Sequence, residues 1–390
     1  MRTALTRRAG IAGVAVASIV ALAGCGTGGD TAAESDMLTE LGEFEGQISI
    51  LAWPGYVEDG SNDPAYDWVT PYEEATGCMV TTKIFATSDE AVNLMKTGDY
   101  DVVPAAGDAT NRLMVAGDVQ PVNVDLLENY DGIYEFLKNK SHNTYNGVSY
   151  GVPHGYGANL LQYRTDIVDP APTSWDVVWE ADSPYAGKVT AYDSPIYIAD
   201  AAVYLMSTKP ELGITNPYAL DETQLAAAVE LLKVQRGLIN EYWSDYLVQA
   251  QSFTTTDTVV GTSWQIITNV LQGGDVPIAS ILPEEGTTGW SDTWMITADT
   301  PNVNCAYAWL DHMADPEINA LATGYFGEAP SSDAACDYRD DCDVFHAGDE
   351  EYAAQLWYWT TPVAECLDGR TDVECTDYAA WTAAWQEIKG

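Results

Sequence analysis

The sequence predicts an α/β protein whose sheets are mostly parallel and flanked by helices. Short apolar runs rich in Val, Ile and Tyr alternate with helical patterns, and Pro, Gly and Asp residues separate them. This alternation of strand and helix is typical of a parallel sheet covered by helices. The chain has 390 residues. It is therefore long enough for two domains, because domains usually have about 100–200 residues.

Three strands and two helices are predicted where the folded part begins. The first strand stops at Pro54-Gly55, and residues 87–90 have the Thr-Ser-Asp-Glu pattern of a helix capping box. The predicted order is strand 48–53, helix 67–76, strand 79–85, helix 87–96 and strand 100–103. Ligands of such sheets lie beyond the carboxyl ends of the strands. The residues at these ends are Trp53, Tyr56, Thr87 and the turn 105–108.

The middle of the chain repeats the alternation with new elements. Residues 151–157 form a glycine-rich crossing, and Asp221 with Gln224 has the pattern that caps the clearest predicted helix. Further strands are predicted over 158–163, 188–192, 259–264 and 293–297, and an amphipathic helix over 305–314.

Residues 1–25 have the pattern of an export signal. Arginines precede an apolar stretch over 11–21, which is shorter than the ~20 residues of a membrane-spanning helix. The stretch closes with Leu-Ala-Gly-Cys at Cys25, which resembles the lipobox of bacterial lipoproteins. The resemblance implies that Cys25 is lipidated and that the protein works outside the cytoplasm, held to the cell membrane by the lipid alone. The alternative is an ordinary signal peptide with a chance cysteine.

Residues 26–45 predict a flexible acidic tether. They are rich in Gly, Thr, Ala, Asp and Glu, so burial cannot offset the entropy lost on ordering them. The folded part is expected to begin at about residue 46.

The charge balance excludes some partners. The chain has 59 acidic and 16 basic residues, which gives a formal net charge of −43 at pH 7. Such a polyanion does not bind nucleic acid or an anionic membrane surface through its general field. The acidic residues are spread along the chain, which favours a strongly hydrated surface suited to salty surroundings. Attraction of cationic ligands is the alternative reason for the charge.

Six cysteines remain besides Cys25, and an even number in an exported chain indicates disulfides. A zinc site is the weaker alternative, because the spacings are not those of a zinc ribbon and the four histidines are scattered. No metal or cofactor is therefore expected. Local spacing favours the pairs Cys336–Cys342 and Cys366–Cys375. Cys78 and Cys305 are then left to pair with each other.

Four passages follow one another at a recognisable spacing. They are the loop 51–56, the strand and turn 100–104, the strand 260–264 that ends in Trp264, and the segment 282–292 with Pro-x-Glu-Gly and Trp-x-Asp. Together they resemble the extracellular solute-binding proteins of ABC importers, most closely the spermidine/putrescine-binding group. The resemblance covers roughly residues 48–325 and, more loosely, the tail that follows.

The resemblance implies a two-lobed periplasmic-binding-protein fold of type II with hinge crossings between the lobes. Lobe 1 is expected to hold residues 46–156 and 293–328, and lobe 2 residues 157–292 and 329–390. The implied function is not enzymatic. The protein is expected to capture a small organic cation such as a polyamine, as a monomer, and to deliver it to ABC permease subunits.

Nine residues are the expected ligand contacts. In the resembling family, the tryptophan at the position of Trp290 stacks on the polyamine, and the aspartate at the position of Asp292 pairs with an amine. An aromatic face attracts a desolvated cation by about 0.5–2 kcal/mol. The alternatives are core packing for the aromatic residues and a surface position for Asp292. The set is Trp53, Tyr56, Tyr156, Asp193, Tyr197, Trp264, Trp290, Asp292 and Glu328.

The sequence departs from the polyamine group at two places. Residues 105–107 are small where polar contacts are usual, and Ser194 and Tyr197 stand where two acidic residues are usual, with Asp193 as a substitute. A non-polyamine solute and a ligand-presenting sensor therefore remain alternatives. A secreted enzyme is the weakest alternative, because the Gly-x-Ser-x-Gly, P-loop and His-Glu-x-x-His motifs are missing from the sequence. The acidic loop 337–343 lacks the pattern of a calcium-binding EF-hand and is expected to be solvated.

Overall fold

A computed structural model describes residues 37–255 and 257–390. The predicted export signal, Cys25 and the first part of the predicted tether lie outside the described residues. Among the described helices, none is both long enough and apolar enough to cross a membrane.

The strands are short, with one long exception near residue 290. They are β1 (Gln47–Ala52), β2 (Met79–Ile84), β3 (Val102–Ala105), β4 (Thr144–Tyr145), β5 (Val148–Ser149), β6 (Val152–Ala158), β7 (Leu160–Arg164), β8 (Val189–Tyr192), β9 (Ile239–Trp243), β10 (Val260–Ser263), β11 (Ile278–Ile281), β12 (Thr287–Ile296), β13 (Ala329–Pro330) and β14 (Leu356–Tyr358).

The helices cover both sheets. They are α1 (Val69–Thr76), α2 (Ser88–Met95), α3 (Gly107–Ala116), α4 (Asp176–Trp179), α5 (Ile198–Thr208), α6 (Glu222–Arg236), α7 (Tyr246–Thr254), α8 (Gln265–Gly273), α9 (Val303–Ala314), α10 (Pro316–Phe326), α11 (Glu350–Ala353) and α12 (Tyr378–Lys389).

The predicted helix starts are confirmed by their caps. The Thr87 side chain accepts a hydrogen bond from the Glu90 amide at the start of α2. At the start of α6, Asp221 and Gln224 form both halves of a capping box. These bonds satisfy amide groups that a helix start would otherwise leave without acceptors.

The described residues form two large mixed sheets and a small antiparallel sheet of β4 and β5. The first has the order β13-β6-β12-β3-β1-β2 with β14 also on β12, and the second has the order β11-β7-β10-β8-β9. Parallel pairing joins β1 to β2 and β3, but β12 runs antiparallel to β3 and β6. In the second sheet, β7 runs antiparallel to β10 and β11. The α/β class is confirmed, whereas the expectation of mostly parallel sheets is wrong. The physical reason is that the chain leaves the first sheet along β6 and returns along β12, so these neighbours run in opposite directions.

The expected lobe boundaries depart from sheet membership at three places. The boundary between residues 156 and 157 falls inside the strand β6, and the boundary between residues 292 and 293 falls inside the strand β12. The short strands β13 and β14, expected in lobe 2, pair with β6 and β12 of the first sheet. Of the tail, α12 packs against the second sheet's helix α6. The other boundaries stay a prediction.

The end of the expected tether is packed against the first sheet's helices. The Glu45 carboxylate accepts hydrogen bonds of 3.0 and 2.9 Å from the amides of Asn304 and Cys305 in the first turn of α9. A carboxylate is favourable there because amides without acceptors point out of a helix start. The Leu38 carbonyl accepts a further bond from Asn123. The packed part therefore begins before residue 46.

All three expected disulfides are present. The bond between Cys78 and Cys305 joins the start of β2 to α9 and is buried in the core below the first sheet. It connects residues 227 positions apart, whereas the bond between Cys336 and Cys342 spans 6 positions.

We expect the double variant C78A/C305A to unfold at clearly lower urea concentration than the wild type. A native disulfide typically contributes about 2–5 kcal/mol to the free energy of unfolding, and the contribution grows with the length of the closed loop. The variant C336A/C342A is the control. Its free energy of unfolding should fall by less, because the disulfide that it lacks closes only a short loop. An equal or larger loss in the control would contradict this ranking.

Candidate functional site

A cavity of about 220 Å³ lies between the two sheets. Its walls come from residues that follow the carboxyl ends of strands in both sheets, from β12, and from the end of α10. This is the position that ligands take in α/β proteins. The lining residues are Trp53, Pro54, Tyr56, Ala86, Thr87, Ala106, Tyr192, Ser244, Asp245, Tyr246, Trp264, Trp290, Asp292, Phe326 and Trp359.

Aromatic rings form most of the cavity wall. The rings of Tyr192 and Trp359 are stacked with centroids 5.6 Å apart. Trp290 meets Trp264 on one side and Phe326 on the other, each edge to face at 6.1 Å. Such a wall is apolar and presents negative ring faces, so it suits an apolar or cationic ligand.

Trp290 reaches its position because glycine stands opposite it on β6. A Cβ atom at Gly157 would lie only 2.4 Å from Cζ2 of the Trp290 ring. Any other residue would therefore push the indole ring out of the cavity wall. The Trp264 ring is fixed differently, since its Nε1 donates to the Asn159 side chain at 2.9 Å. The glycine-rich crossing thus permits a close approach of ring and backbone.

Asp292 is the buried carboxylate of the cavity, with 4% of its surface exposed. Its Oδ2 accepts a hydrogen bond of 3.0 Å from the Tyr56 hydroxyl. Burial raises the pKa of Asp292 to about 7, the Tyr56 hydrogen bond lowers it, and the charge of Asp108 raises it further. Within residues 37–255 and 257–390, no Lys or Arg forms an ion pair with Asp292.

A second buried carboxylate lies beside the cavity. Asp108 is in the first turn of α3, where its Oδ1 accepts a bond of 2.9 Å from the Ser88 hydroxyl. Burial raises its pKa to about 6, although the Ser88 bond and the nearby Arg112 lower it. Asp245, in contrast, is exposed at the rim and caps α7 through the Leu247 amide.

The structure brings five of the nine expected contact residues to the cavity wall. They are Trp53, Tyr56, Trp264, Trp290 and Asp292. Glu328 is buried behind Tyr56, with its Oε1 3.5 Å from the Tyr56 hydroxyl, and does not line the cavity.

The side chains of Asp193 and Tyr156 do not line the cavity, because both are bonded to other residues. Asp193 forms an ion pair of 2.6 Å with Lys389 and accepts a bond from Trp385, both in α12. The Tyr156 hydroxyl donates to the carbonyl of His346 at 3.0 Å. Both partners belong to the tail, and no local pattern in the sequence connects them to Asp193 or Tyr156.

Tyr197 is likewise placed in the core of the second sheet. Its hydroxyl accepts bonds of 3.0 and 3.1 Å from Gln235 and Thr262, and its ring stacks on Trp179. The alternative of core packing, left open for the aromatic residues, applies to Tyr197.

Four lining aromatic residues were missing from the expected set. Tyr192 ends a predicted strand beside the predicted Asp193, so its position was a usable signal. Trp359 lies in the tail and Tyr246 at the start of α7, where the sequence contains no motif that marks a site. The fourth is Phe326, at the end of α10.

Within residues 37–255 and 257–390, one group of side chains has the spacing of metal ligands. It comprises Cys366, Asp368 and Cys375. The two sulfur atoms are joined in a disulfide, so they are not thiolate ligands. The acidic loop 337–343 holds an ion pair of 2.6 Å between Arg339 and Asp341.

The family model of bacterial extracellular solute-binding proteins matches residues 67–345, which is most of the chain. The chain belongs to this family. Among the relatives of this solute-binding protein is a putrescine/agmatine-binding protein of Pseudomonas aeruginosa, 26% identical over 69% of this chain and 77% of the relative. The putrescine-binding periplasmic protein SpuD of the same species is 24% identical over 88% of this chain and 91% of its own.

Solved structures of other binding proteins share the fold. The TpPotD lipoprotein of Treponema pallidum superposes with a TM-score of 0.72 at 17% identity, covering 88% of this chain and 99% of that chain. The spermidine/putrescine substrate-binding protein PotD of Streptococcus pneumoniae has a TM-score of 0.67 at 18% identity, covering 88% and 97%. The expected two-lobed binding-protein fold is therefore confirmed.

Without ligand, this solute-binding protein is expected to lose stability as the pH rises. The pKa values of Asp292 and Asp108, raised to about 7 and about 6 by burial, lie above the ~4 of an aspartate in an unfolded chain. The folded state binds these protons more tightly. Their stabilisation is therefore complete below about pH 4 and is lost as the pH rises through about 6 to 7.

Thermal unfolding at several pH values between about 5 and 8 measures this effect. The D292N variant should show a smaller fall of the melting temperature over that range, because the titrating group is gone. D299N removes an exposed carboxylate and is the control, which should keep the wild-type slope. An unchanged slope in D292N would contradict the assignment.

Proposed function

We propose that this chain is the binding protein of an ABC importer and that it captures a small, polyamine-like organic cation in the cavity between the sheets. It then delivers the cation to permease subunits. The observation that carries the proposal is the buried carboxylate of Asp292, which faces an aromatic cavity without a cationic partner among the described residues.

The chemistry of the cavity supports a cation. A buried carboxylate loses its hydration, and this loss is offset only by a counter-charge or by good hydrogen bonds. Tyr56 supplies one hydrogen bond. An ammonium group beside Asp292 would supply the counter-charge through a charge-assisted hydrogen bond. Faces of Trp53, Trp264 and Trp290 would attract the same cation by about 0.5–2 kcal/mol each.

The relatives support the same class of ligand. Three of the proteins named above carry putrescine, agmatine or spermidine in their names. The PotD protein is named as part of an ABC transporter, which is the reason to propose permease subunits as partners. Ser194 and Tyr197 stand where the polyamine-binding group usually has two acidic residues. The lack of this acidic pair favours a second candidate, a cation that is not a polyamine. Asp193, the expected substitute for the missing acidic pair, is already neutralised by Lys389.

We expect D292N to bind the cationic ligand more weakly by about 2–5 kcal/mol, because the variant leaves the ligand's charge desolvated without a counter-charge. Tryptophan fluorescence titration with putrescine, spermidine, agmatine and choline measures it, with a neutral sugar and an anionic amino acid for comparison. D245N, which removes an exposed carboxylate of the same cavity, is the matched control and should lose less than about 1 kcal/mol. Binding of only neutral or anionic solutes would contradict the proposed function.

We also propose that the protein is held to the membrane by a lipid on Cys25. The support is the Leu-Ala-Gly-Cys end of the predicted export signal. The C25S variant should leave the membrane fraction or remain as uncleaved precursor, whereas T27S, two residues further on, should behave as the wild type. Membrane association unchanged in C25S would contradict a lipid anchor at this residue.

A further inference from the structure

The Tyr56 hydroxyl lies between two buried carboxyl groups. It is 3.0 Å from Oδ2 of Asp292 and 3.5 Å from Oε1 of Glu328. The exposed fractions of Tyr56, Asp292 and Glu328 are 0%, 4% and 1%. A phenol hydroxyl has a single proton and can donate to only one of these oxygens. Its oxygen can accept a hydrogen bond from the other group only if that group carries a proton.

Within residues 37–255 and 257–390, no Lys or Arg forms an ion pair with the Glu328 carboxyl group. The Nη1 of Arg339 donates to the Glu328 backbone carbonyl at 3.0 Å, and its Nε pairs with Asp341. His154 on β6 has its Nε2 3.4 Å from Oε1 of Glu328. Burial lowers the pKa of His154 to about 3, so its imidazole is neutral at physiological pH.

The backbone of β6 is shaped around the Glu328 carboxyl group. A Cβ atom at Gly155 would lie 2.7 Å from Cδ of Glu328 and 2.9 Å from its Oε2. Only glycine therefore leaves room for the Glu328 carboxyl group at this position beside the strand. The adjacent pairing of β6 with β12 shifts register next to Asp292, which leaves His154 without a partner across the ladder.

We propose that Glu328 carries a proton and donates it in a hydrogen bond to the Tyr56 oxygen, so that the Tyr56 hydroxyl donates to Asp292. Glu328 is then a positioning residue of the cation site, which acts through Tyr56 without lining the cavity. It orients the Tyr56 proton and leaves Asp292 as the charged member of the pair. The inference rests on the proposed capture of a cation.

The electrostatics of the group agree with this order of hydrogen bonds. Burial, and then the neighbouring charge of Asp292, hold the pKa of Glu328 well above its usual range, although Arg339 and Tyr56 lower it. The negative charge of Asp108, on α3, in turn raises the pKa of Asp292. Two ionised carboxylates bridged by one hydroxyl would repel each other, so one of them takes up a proton.

The test compares two substitutions of Glu328 in the full-length protein. E328Q keeps the shape and an N–H donor for the Tyr56 oxygen, so its affinity for the tightest-binding cation should lie within about twofold of the wild type. E328L removes the donor and should bind about tenfold more weakly. In the E328L background, Y56F should then cost less affinity than in the wild type, because the hydroxyl has already lost its orientation. If E328Q binds as weakly as E328L, Glu328 acts through a negative charge, and the inference is wrong.

A measurement without ligand separates this inference from the proposed function. The infrared absorption of a protonated carboxylic acid is compared for the wild type and E328Q near pH 8.5, above the pKa of Asp292. Loss of a band in E328Q is the expected result, and identical spectra would overturn the inference. Absence of any cation binding by the wild type would contradict the proposed function alone, since the infrared result would still decide the state of Glu328.

Discussion

The constraint on which the site depends is the burial of the Asp292 carboxylate without an ion pair to any Lys or Arg in the described part of the chain. An ion of this size loses several kcal/mol of effective solvation free energy when it is buried. One hydrogen bond from Tyr56 offsets only part of that loss. The unliganded site therefore holds Asp292 near the point of protonation, and a bound ammonium would restore the balance by supplying the missing charge. Affinity for a cation and instability of the empty site are two consequences of the same burial.

The backbone places this carboxylate through a single strand. β12 is buried along its whole length and pairs with β3, β6 and β14. Trp290 and Asp292 stand two residues apart on it, so both side chains point to the same face and reach the cavity together. Two glycines of β6 give this face its room, since Gly157 lies under the Trp290 ring and Gly155 lies under the Glu328 carboxyl group. The two glycines of the predicted crossing therefore allow close packing of both side chains against β6.

Local patterns and the family resemblance predicted the features of the fold and of the site that depend on residues close together in the sequence. The helix caps at Thr87 and Asp221 follow from hydrogen bonds within four residues, and the three disulfides follow from count and spacing. Trp53, Trp264 and the pair on β12 follow strand ends or a recognisable motif, and the structure places them at the cavity.

The predictions that failed concern features that depend on contacts between distant parts of the chain. Asp193 is neutralised by Lys389, 196 positions away, and no local pattern in the sequence connects these two residues. Trp359 enters the cavity because β14 pairs with β12, and a strand of three residues gives almost no signal in a sequence. The antiparallel pairs of β12 have the same origin, because they arise from the return of the chain between the sheets.

The net charge of −43 and the charge of Asp292 act at different ranges. Surface carboxylates attract every cation, and salt screens this attraction beyond about 10 Å at 0.1 M and beyond about 3 Å at 1 M. They therefore add little selectivity between a metal ion and an organic amine. Asp292 is shielded from salt by the aromatic wall, and its attraction operates only on a cation that enters the cavity and sheds its water. Apolar rings favour a cation that is weakly hydrated and has an apolar body, so selection between cations takes place in the cavity and not at the surface.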